Sequence, residues 1–313
     1  MRILCGFIGI LCLVCGSDAA TLWIDTDVSI GSPIREVDDA FALVLAFHSP
    51  EIRIAGLSTT YGNAPLAHTT RAARDLVERF GPSAGLTVEH VFAGAGSASE
   101  LGRPSAASDA LAAALEKQKV TYIALGPLTD LASFLQLHPK AANRIERIIF
   151  VGGQSLGASL AFGPNHSFHI HDANVFKDSV ATAAVLRSNI PLTLVPIATG
   201  SHLLIDGADL RRLGKSGEAG NYLSCQSKIW LWFWTHVVKT NGGPIFDALA
   251  LVPATTPELL SIRKRYAQMD QAGNLIVRPS LTNGARPVRY CTGFAPGTKS
   301  FVMQRLLTRP IRE

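Results

Sequence analysis

Leu22-Trp23-Ile24-Asp25-Thr26-Asp27, followed after a loop by Asp38-Asp39-Ala40-Phe41-Ala42-Leu43, is the stretch on which the reading of this chain turns. The apolar triplet Leu22 to Ile24 reads as a buried strand running into acidic residues. Asp39 to Phe47 reads as a helix, largely apolar and so mostly buried. A strand that ends in carboxylates and passes to a helix headed by carboxylates is the first half of a β-α-β unit.

The same rhythm continues outward. Ile52 to Ser58, Val91 to Ala93, Val120 to Leu125, Ile145 to Val151 and Leu192 to Ile197 read as strands. Leu66 to Phe80, Ala107 to Gln118, Leu128 to Leu137 and Ala173 to Arg187 read as helices, the first stopped by Gly81-Pro82. Alternating strands and long helices imply an α/β fold: an open, mostly parallel, Rossmann-like sheet with helices on both faces. The last third changes character. Ala219 to Thr240 reads as one long helix carrying Trp230, Trp232 and Trp234, and Ile245 to Val252 as a short one. Beyond Tyr266, short β-like runs such as Leu275 to Val277 and Val288 to Tyr290 are punctuated by Gly and Pro.

Of 313 residues, 47% are hydrophobic and 17% charged, which suits a large core and not a disordered chain. No linker divides the sequence, so residues 20–313 read as one domain. The net charge of +5 is scattered, apart from Arg305, Arg309 and Arg312 near the end; without a basic stripe interleaved with aromatics, no nucleic-acid partner is expected. Residues 1–19 read as a secretory signal peptide: Arg2, an apolar run from Ile3 to Val14, then small residues with Ser17 and Ala19 placed for cleavage. The run is short for a membrane span, so an exported protein, periplasmic or secreted, with no stable membrane insertion after leader removal is expected. Val14 before Cys15 argues against a lipid anchor. Removing the leader leaves Cys225 and Cys291; whether they form a disulfide stays open.

Open α/β sheets bind ligands beyond the carboxyl ends of their strands. The first strand ends in Asp25 and Asp27, the second leads to Asn63, the fourth to Gly126-Pro127, and the fifth to Gly152-Gly153 and a loop with Asn165. Asp172, Asn174 and Asp178 follow at a helix start. Asp25, Asp27, Asp38 and Asp39 gather four carboxylates near one strand end, where like charges need protons or a cation. Asp38 and Asp39 alone would also suit a helix N-terminus as dipole partners. Carboxylates without a Cys or paired-His motif favour a hard ion, calcium or magnesium.

At these residues the chain resembles the inosine–uridine-preferring nucleoside hydrolases. Asp25-Thr26-Asp27 with Asp38 to Leu43 is similar to their N-terminal signature, Thr59 to Leu66 to a second motif, and Ala124 to Leu131 to a third. Asp172 to Asp178 and Asp247 to Ala250 follow in order, so the resemblance covers roughly Leu22 to Leu260. It implies Ca2+ held by Asp27, Asp39, Asp247 and the backbone carbonyl of Leu125. Asp27 would be the general base that activates a water for attack on the anomeric carbon of a nucleoside. Asp38, Asn63, Asp172 and Asn174, with Asn165 as a further companion, would grip the sugar, and Asp25 would orient the loop. A homo-oligomer, dimer or tetramer, is expected.

The chain departs from the family pattern in three places. Ten residues, Val28 to Val37, separate Asp27 from Asp38 where a tight Pro-Gly turn is usual. Asp172 replaces the usual Glu and is one methylene shorter. Phe246 stands where purine-and-pyrimidine-cleaving members carry a His that protonates the leaving base. Trp230 and Trp234, four apart on a helix, could stack the base instead, or form ordinary core. His169 and His171 share one face of an extended segment and could supply an acid or a metal ligand, or lie at the surface. Two other functions compete: a nucleoside- or sugar-binding protein without turnover, and a phosphatase using the Asp25-Thr26-Asp27 motif.

Overall fold

The computed structural model describes residues 19–32 and 35–307. The leading strands and helices alternate as β1 (Ala20–Thr26), α1 (Asp38–Phe47), β2 (Ile52–Thr59), α2 (Leu66–Phe80), β3 (Val91–Ala93), α3 (Ala106–Lys117), β4 (Val120–Ala124), α4 (Thr129–Leu137) and β5 (Ile145–Val151). Ten strands form the main sheet in the order β3-β2-β1-β4-β5, then Leu192–Val195, Arg286–Phe294, Leu260–Met269, Leu275–Arg278 and Gln154–Ser155. From β3 to Arg286–Phe294 every neighbouring pair is parallel. Leu260–Met269 runs antiparallel to the strands on both its sides. The mostly parallel α/β sheet expected from the sequence is the one observed.

Alternation along β1 separates two cores. Leu22 and Ile24 join a cluster with α1, helix Ala248–Thr255 and Val302, Met303 and Leu306. Trp23 points to the opposite face, among Tyr122, Leu131 and Phe134. All ten residues of α1 are buried, its two leading aspartates included, so this helix carries charge into the interior.

The chain runs from β1 outward through β2 to β3, then returns to place β4 and β5 on the other side of β1. That reversal opens a crevice beyond the ends of β1 and β4. The Leu125 N–H donates to the Asp25 carbonyl at 2.9 Å and ties the two strand ends together.

Several expectations change. The long helix over Ala219 to Thr240 is divided into Glu218–Gln226, Lys228–Trp232 and a π-turn at Phe233–Val237. The helix over Ala173 to Arg187 is broken at Asp178, whose φ of −151° and ψ of 79° are not helical. The last third holds longer strands than the short runs suggest, and a closing helix, Gly297–Leu307, that the pattern did not announce. Cys225 is exposed, Cys291 is buried, and both are free thiols. Residues 1–18 of the expected leader lie outside the described residues. No described helix is long and apolar enough to cross a membrane.

Candidate active site

Four buried carboxylates meet at the switch point. Asp27 follows β1 directly, Asp38 and Asp39 open α1, and Asp247 precedes helix Ala248–Thr255. Their relative exposures are 1%, 4%, 0% and 4%, so all four have left water. Asp38, Asp39 and Asp247 each bring an oxygen within 4.8 Å of the others. Asn63, in the loop after β2, joins Asp27 to this group. Its backbone N–H donates to Asp27 Oδ2 at 2.7 Å, and its amide reaches Asp27 Oδ1 at 3.3 Å and Asp39 Oδ2 at 3.2 Å. The Thr26 hydroxyl donates to Asp39 Oδ1 at 2.5 Å.

Burial holds the carboxyls of Asp27, Asp38 and Asp247 well above the usual carboxylate range, and mutual repulsion adds to it. At Asp39 burial also raises the value, opposed by the Thr26 hydroxyl and the Asn63 amide. One cation comes near: Lys177 Nζ lies 3.7 Å from Asp27 Oδ2 and pulls that carboxyl back down. Oδ1 of Asp38 is buried with no hydrogen-bond partner. A desolvated, all-oxygen donor set with an orphaned oxygen fits a hard divalent cation.

Asp25 lies apart. Its Oδ1 accepts from the Ser58 hydroxyl at 2.7 Å, and Ser58 in turn accepts from the Trp23 indole at 2.9 Å. Burial and the neighbouring Asp130 push the Asp25 carboxyl up. Asp130 accepts from the Ala95 N–H at 2.6 Å and is itself raised to about 7, chiefly by burial. This second acidic pair braces the ends of β1 and β3.

A cavity of about 490 Å³ opens beside the carboxylates. Its lining combines Asp38, Asn63, Leu125, Asn174 and Asp247 with the aromatic residues Phe168, Trp230, Phe233, Trp234 and Phe246. Asn174 donates to the carbonyls of Leu125 at 2.6 Å and Val151 at 3.0 Å. Phe246 meets Trp234 edge to face, with centroids 6.1 Å apart. Thus Asp38, Asn63, Leu125, Asn174, Trp230, Trp234, Phe246 and Asp247 all line one space.

Two predicted sugar ligands stand elsewhere. Asp172 does not line the cavity: its carboxylate accepts from the Gly153 N–H at 2.6 Å and the Val175 N–H at 3.4 Å, capping helix Ala173–Lys177. The shorter side chain is engaged by nearby backbone. Asn165 sits exposed on a turn with φ 56°, away from the cavity wall. His171 lies at the mouth, stacked on Phe176 with centroids 5.3 Å apart, while His169 is exposed.

Sequence reasoning missed Arg35, Glu36 and Lys177. Arg35 and Glu36 come from the long loop after Asp27; Arg35 donates to the Asn63 carbonyl, and Glu36 accepts from the Trp230 indole at 2.7 Å. The ten-residue loop was the available signal, since a segment that replaces a tight turn beside a site must lie over it or fold away.

The profile of the family described as inosine-uridine preferring nucleoside hydrolase matches residues 22–296. The chain belongs to that family. It is 27% identical over 291 residues to uridine nucleosidase 1 of Arabidopsis thaliana, covering 85% of this chain and 82% of the relative. A pyrimidine-specific ribonucleoside hydrolase of Salmonella paratyphi C is 25% identical, covering 75% of this chain and 82% of its own length. Among solved structures, a plant nucleoside hydrolase superimposes with a TM-score of 0.77 at 23% identity, covering 93% of this chain and 99% of that one. A purine-preferring ribonucleoside hydrolase of Gardnerella vaginalis gives 0.74 at 21% identity, covering 91% and 98%. This family member is a glycosidase acting on N-glycosyl compounds, and its reaction is hydrolysis of a nucleoside N-glycosidic bond.

Proposed function

We propose that the protein is a calcium-dependent ribonucleoside hydrolase that uses Asp27 as its general base. The observation that carries this reading is the convergence of Asp27, Asp38, Asp39 and Asp247, from separate segments, beside a cavity lined by both polar and aromatic residues. Asp27, Asp39, Asp247 and the Leu125 carbonyl would hold the ion, which offsets their repulsion and acidifies a nearby water.

The side chains divide the rest of the work. Asp27 takes a proton from water as the water oxygen bonds to the anomeric carbon. The bond from that carbon to the base nitrogen breaks, and its electron pair leaves with the base through a cation-like sugar. Asp38, Asn63 and Asn174, which line the cavity, would hold sugar hydroxyls. Trp230, Trp234 and Phe246 offer flat apolar surface for the base.

The direct test is release of free base from uridine, cytidine, inosine and guanosine, with calcium and then with a chelator. Release that stops on chelation and returns with calcium is expected. A folded, calcium-loaded protein that frees no base from any of the four overturns the proposal. Phe246 favours a second reading, a nucleoside-binding protein without turnover, because a phenyl ring delivers no proton to the base. Calorimetric binding without product, with turnover appearing in Phe246→His, would support that alternative.

Residues 1–19 favour export, tested by whether N-terminal sequencing of the mature protein begins at Ala20. A dimer or tetramer is the assembly proposed, and light scattering that finds a monomer removes it.

A further inference from the structure

The cavity holds a group that the proposed sugar contacts do not use. Glu36 reaches it from the loop between β1 and α1 and is fixed at two points. Its carbonyl accepts from the Ser29 hydroxyl at 2.8 Å, and its Oε2 accepts from the Trp230 indole at 2.7 Å. One turn along, Trp234 is 2% exposed and its indole N–H has no hydrogen-bond partner, yet it lies close enough to the same carboxyl to favour its charge. Both tryptophans and Glu36 line the cavity.

A carboxyl among aromatic rings loses much of its hydration, a cost that capping one indole does not require. A neutral oxygen would satisfy Trp230. A carboxyl has more accepting capacity than one indole uses, and in either protonation state it keeps an accepting oxygen. Glu36 lines the same cavity as Trp230, Trp234 and Phe246, close enough to Asp38 to repel its charge, and the unused capacity is free for a ligand held there.

We propose that Glu36 is a specificity-determining residue of this hydrolase, accepting a hydrogen bond from an N–H on the edge of the nucleobase held against Trp230 and Trp234. The inference rests on the reading of this cavity as a nucleoside site. It makes the long loop a base-reading element. Uracil offers its ring N–H and hypoxanthine its own; a methyl group on that nitrogen removes the donor and sets carbon against a desolvated carboxyl. Sites that hydrogen-bond a substrate group reject analogues lacking it far more strongly than apolar pockets do.

The test compares kcat/KM for uridine and 3-methyluridine, and for inosine and 1-methylinosine, with p-nitrophenyl β-D-ribofuranoside as a substrate without a base. Wild type is expected to prefer the better-cleaved parent nucleoside over its methylated form by about tenfold or more. In Glu36→Leu that preference falls to about one, and the ratio of nucleoside to nitrophenyl riboside drops about tenfold, chiefly through KM. Glu36→Gln, which keeps an acceptor for Trp230, retains part of the preference. Equal losses on all substrates in Glu36→Leu, or an unchanged methyl discrimination, overturn the proposal.

Calorimetry with free uracil, hypoxanthine and their N-methylated forms puts the same question without turnover. Preference for an unmethylated base that Glu36→Leu abolishes supports base reading even if hydrolysis is absent, in which case only the hydrolase reading fails. Wild-type affinity that ignores the methyl group overturns it.

Discussion

A methyl group added at Gly62 would lie 1.8 Å from Oδ2 of Asp27, and one at Gly126 would lie 3.2 Å from its Cγ. The general-base candidate is therefore enclosed by backbone that only glycine allows so close, which fixes its position alongside the contacts from Asn63 and Lys177. Gly62→Ala should displace Asp27 and lower kcat by at least about 10²-fold while circular dichroism stays that of the parent. Asp27→Asn keeps the shape and removes the base, so kcat should fall by about 10²–10⁴-fold at saturating cation. A kcat within threefold of wild type for Asp27→Asn would remove Asp27 from the mechanism. At this scale strand ends and a helix start pointed to Asp27, Asp38, Asp39 and Asn63 as candidates, whereas Leu125 and Asp247 came only from the resemblance to the family's motifs. It did not disclose that Asp172 caps a helix, since a carboxylate before a helix serves a cap and a ligand equally well. Glu36 was hidden because loop residues carry no periodicity from which a facing direction can be read.

The broken helices show what pattern reading leaves out. Apolar periodicity runs through Ala173 to Arg187 without a gap, yet the chain turns at Asp178. The cause is tertiary: Asp178 accepts from the Ala181 N–H at 2.8 Å and from the Thr129 hydroxyl of α4 at 2.7 Å, so one carboxylate starts a helix and anchors it to its neighbour. Asp178→Ala should cost about 1 kcal/mol for the cap and a further ~1 kcal/mol for the lost bond to the Thr129 hydroxyl, which keeps the Tyr61 hydroxyl at 3.3 Å. Calorimetry should find Tm lowered by about 3 °C, and a loss under 1 °C would mean that the break is held by other contacts. The β-α-β core was legible because its strands are continuous apolar runs and its helices are long. The C-terminal strands were less so, because Leu260–Met269 interleaves Arg and Lys among its apolar residues as a partly exposed antiparallel strand does.

For the molecule as a whole, the concentration of buried acid makes stability depend on pH in a direction opposite to ordinary surface ion pairs. Burial raises the carboxyls of Asp25, Asp27, Asp38, Asp39 and Asp247, and lifts Asp130 and Glu36 to about 7 each. A carboxyl whose pKa is higher folded than unfolded binds its proton more tightly in the native state. Its stabilising contribution is complete below the unfolded value, about 4, and is lost as pH rises through the folded value. Asp206 and Asp270 have depressed values, held by backbone N–H groups and, at Asp270, chiefly by the Asn274 side chain; their contributions are lost only as pH falls below about 4. The two effects therefore occupy separate windows. Between pH 5 and 8 the cation-free protein should lose stability as pH rises, with Tm falling by several degrees in a scanning calorimeter. A cation that binds the folded state alone stabilises it by about 2.7 kcal/mol at a hundred times its Kd. A calcium ion at the proposed site would bind the ionised cluster, so the gap between calcium-loaded and chelated samples should be small at pH 5 and widen toward pH 8. Asp130→Asn lies outside the cation cluster, and should flatten the chelated profile while leaving the calcium-dependent gap in place. A chelated Tm that stays level or climbs from pH 5 to 8 would mean that these acids are not desolvated in the folded protein, and the cation site argued from them would go with it.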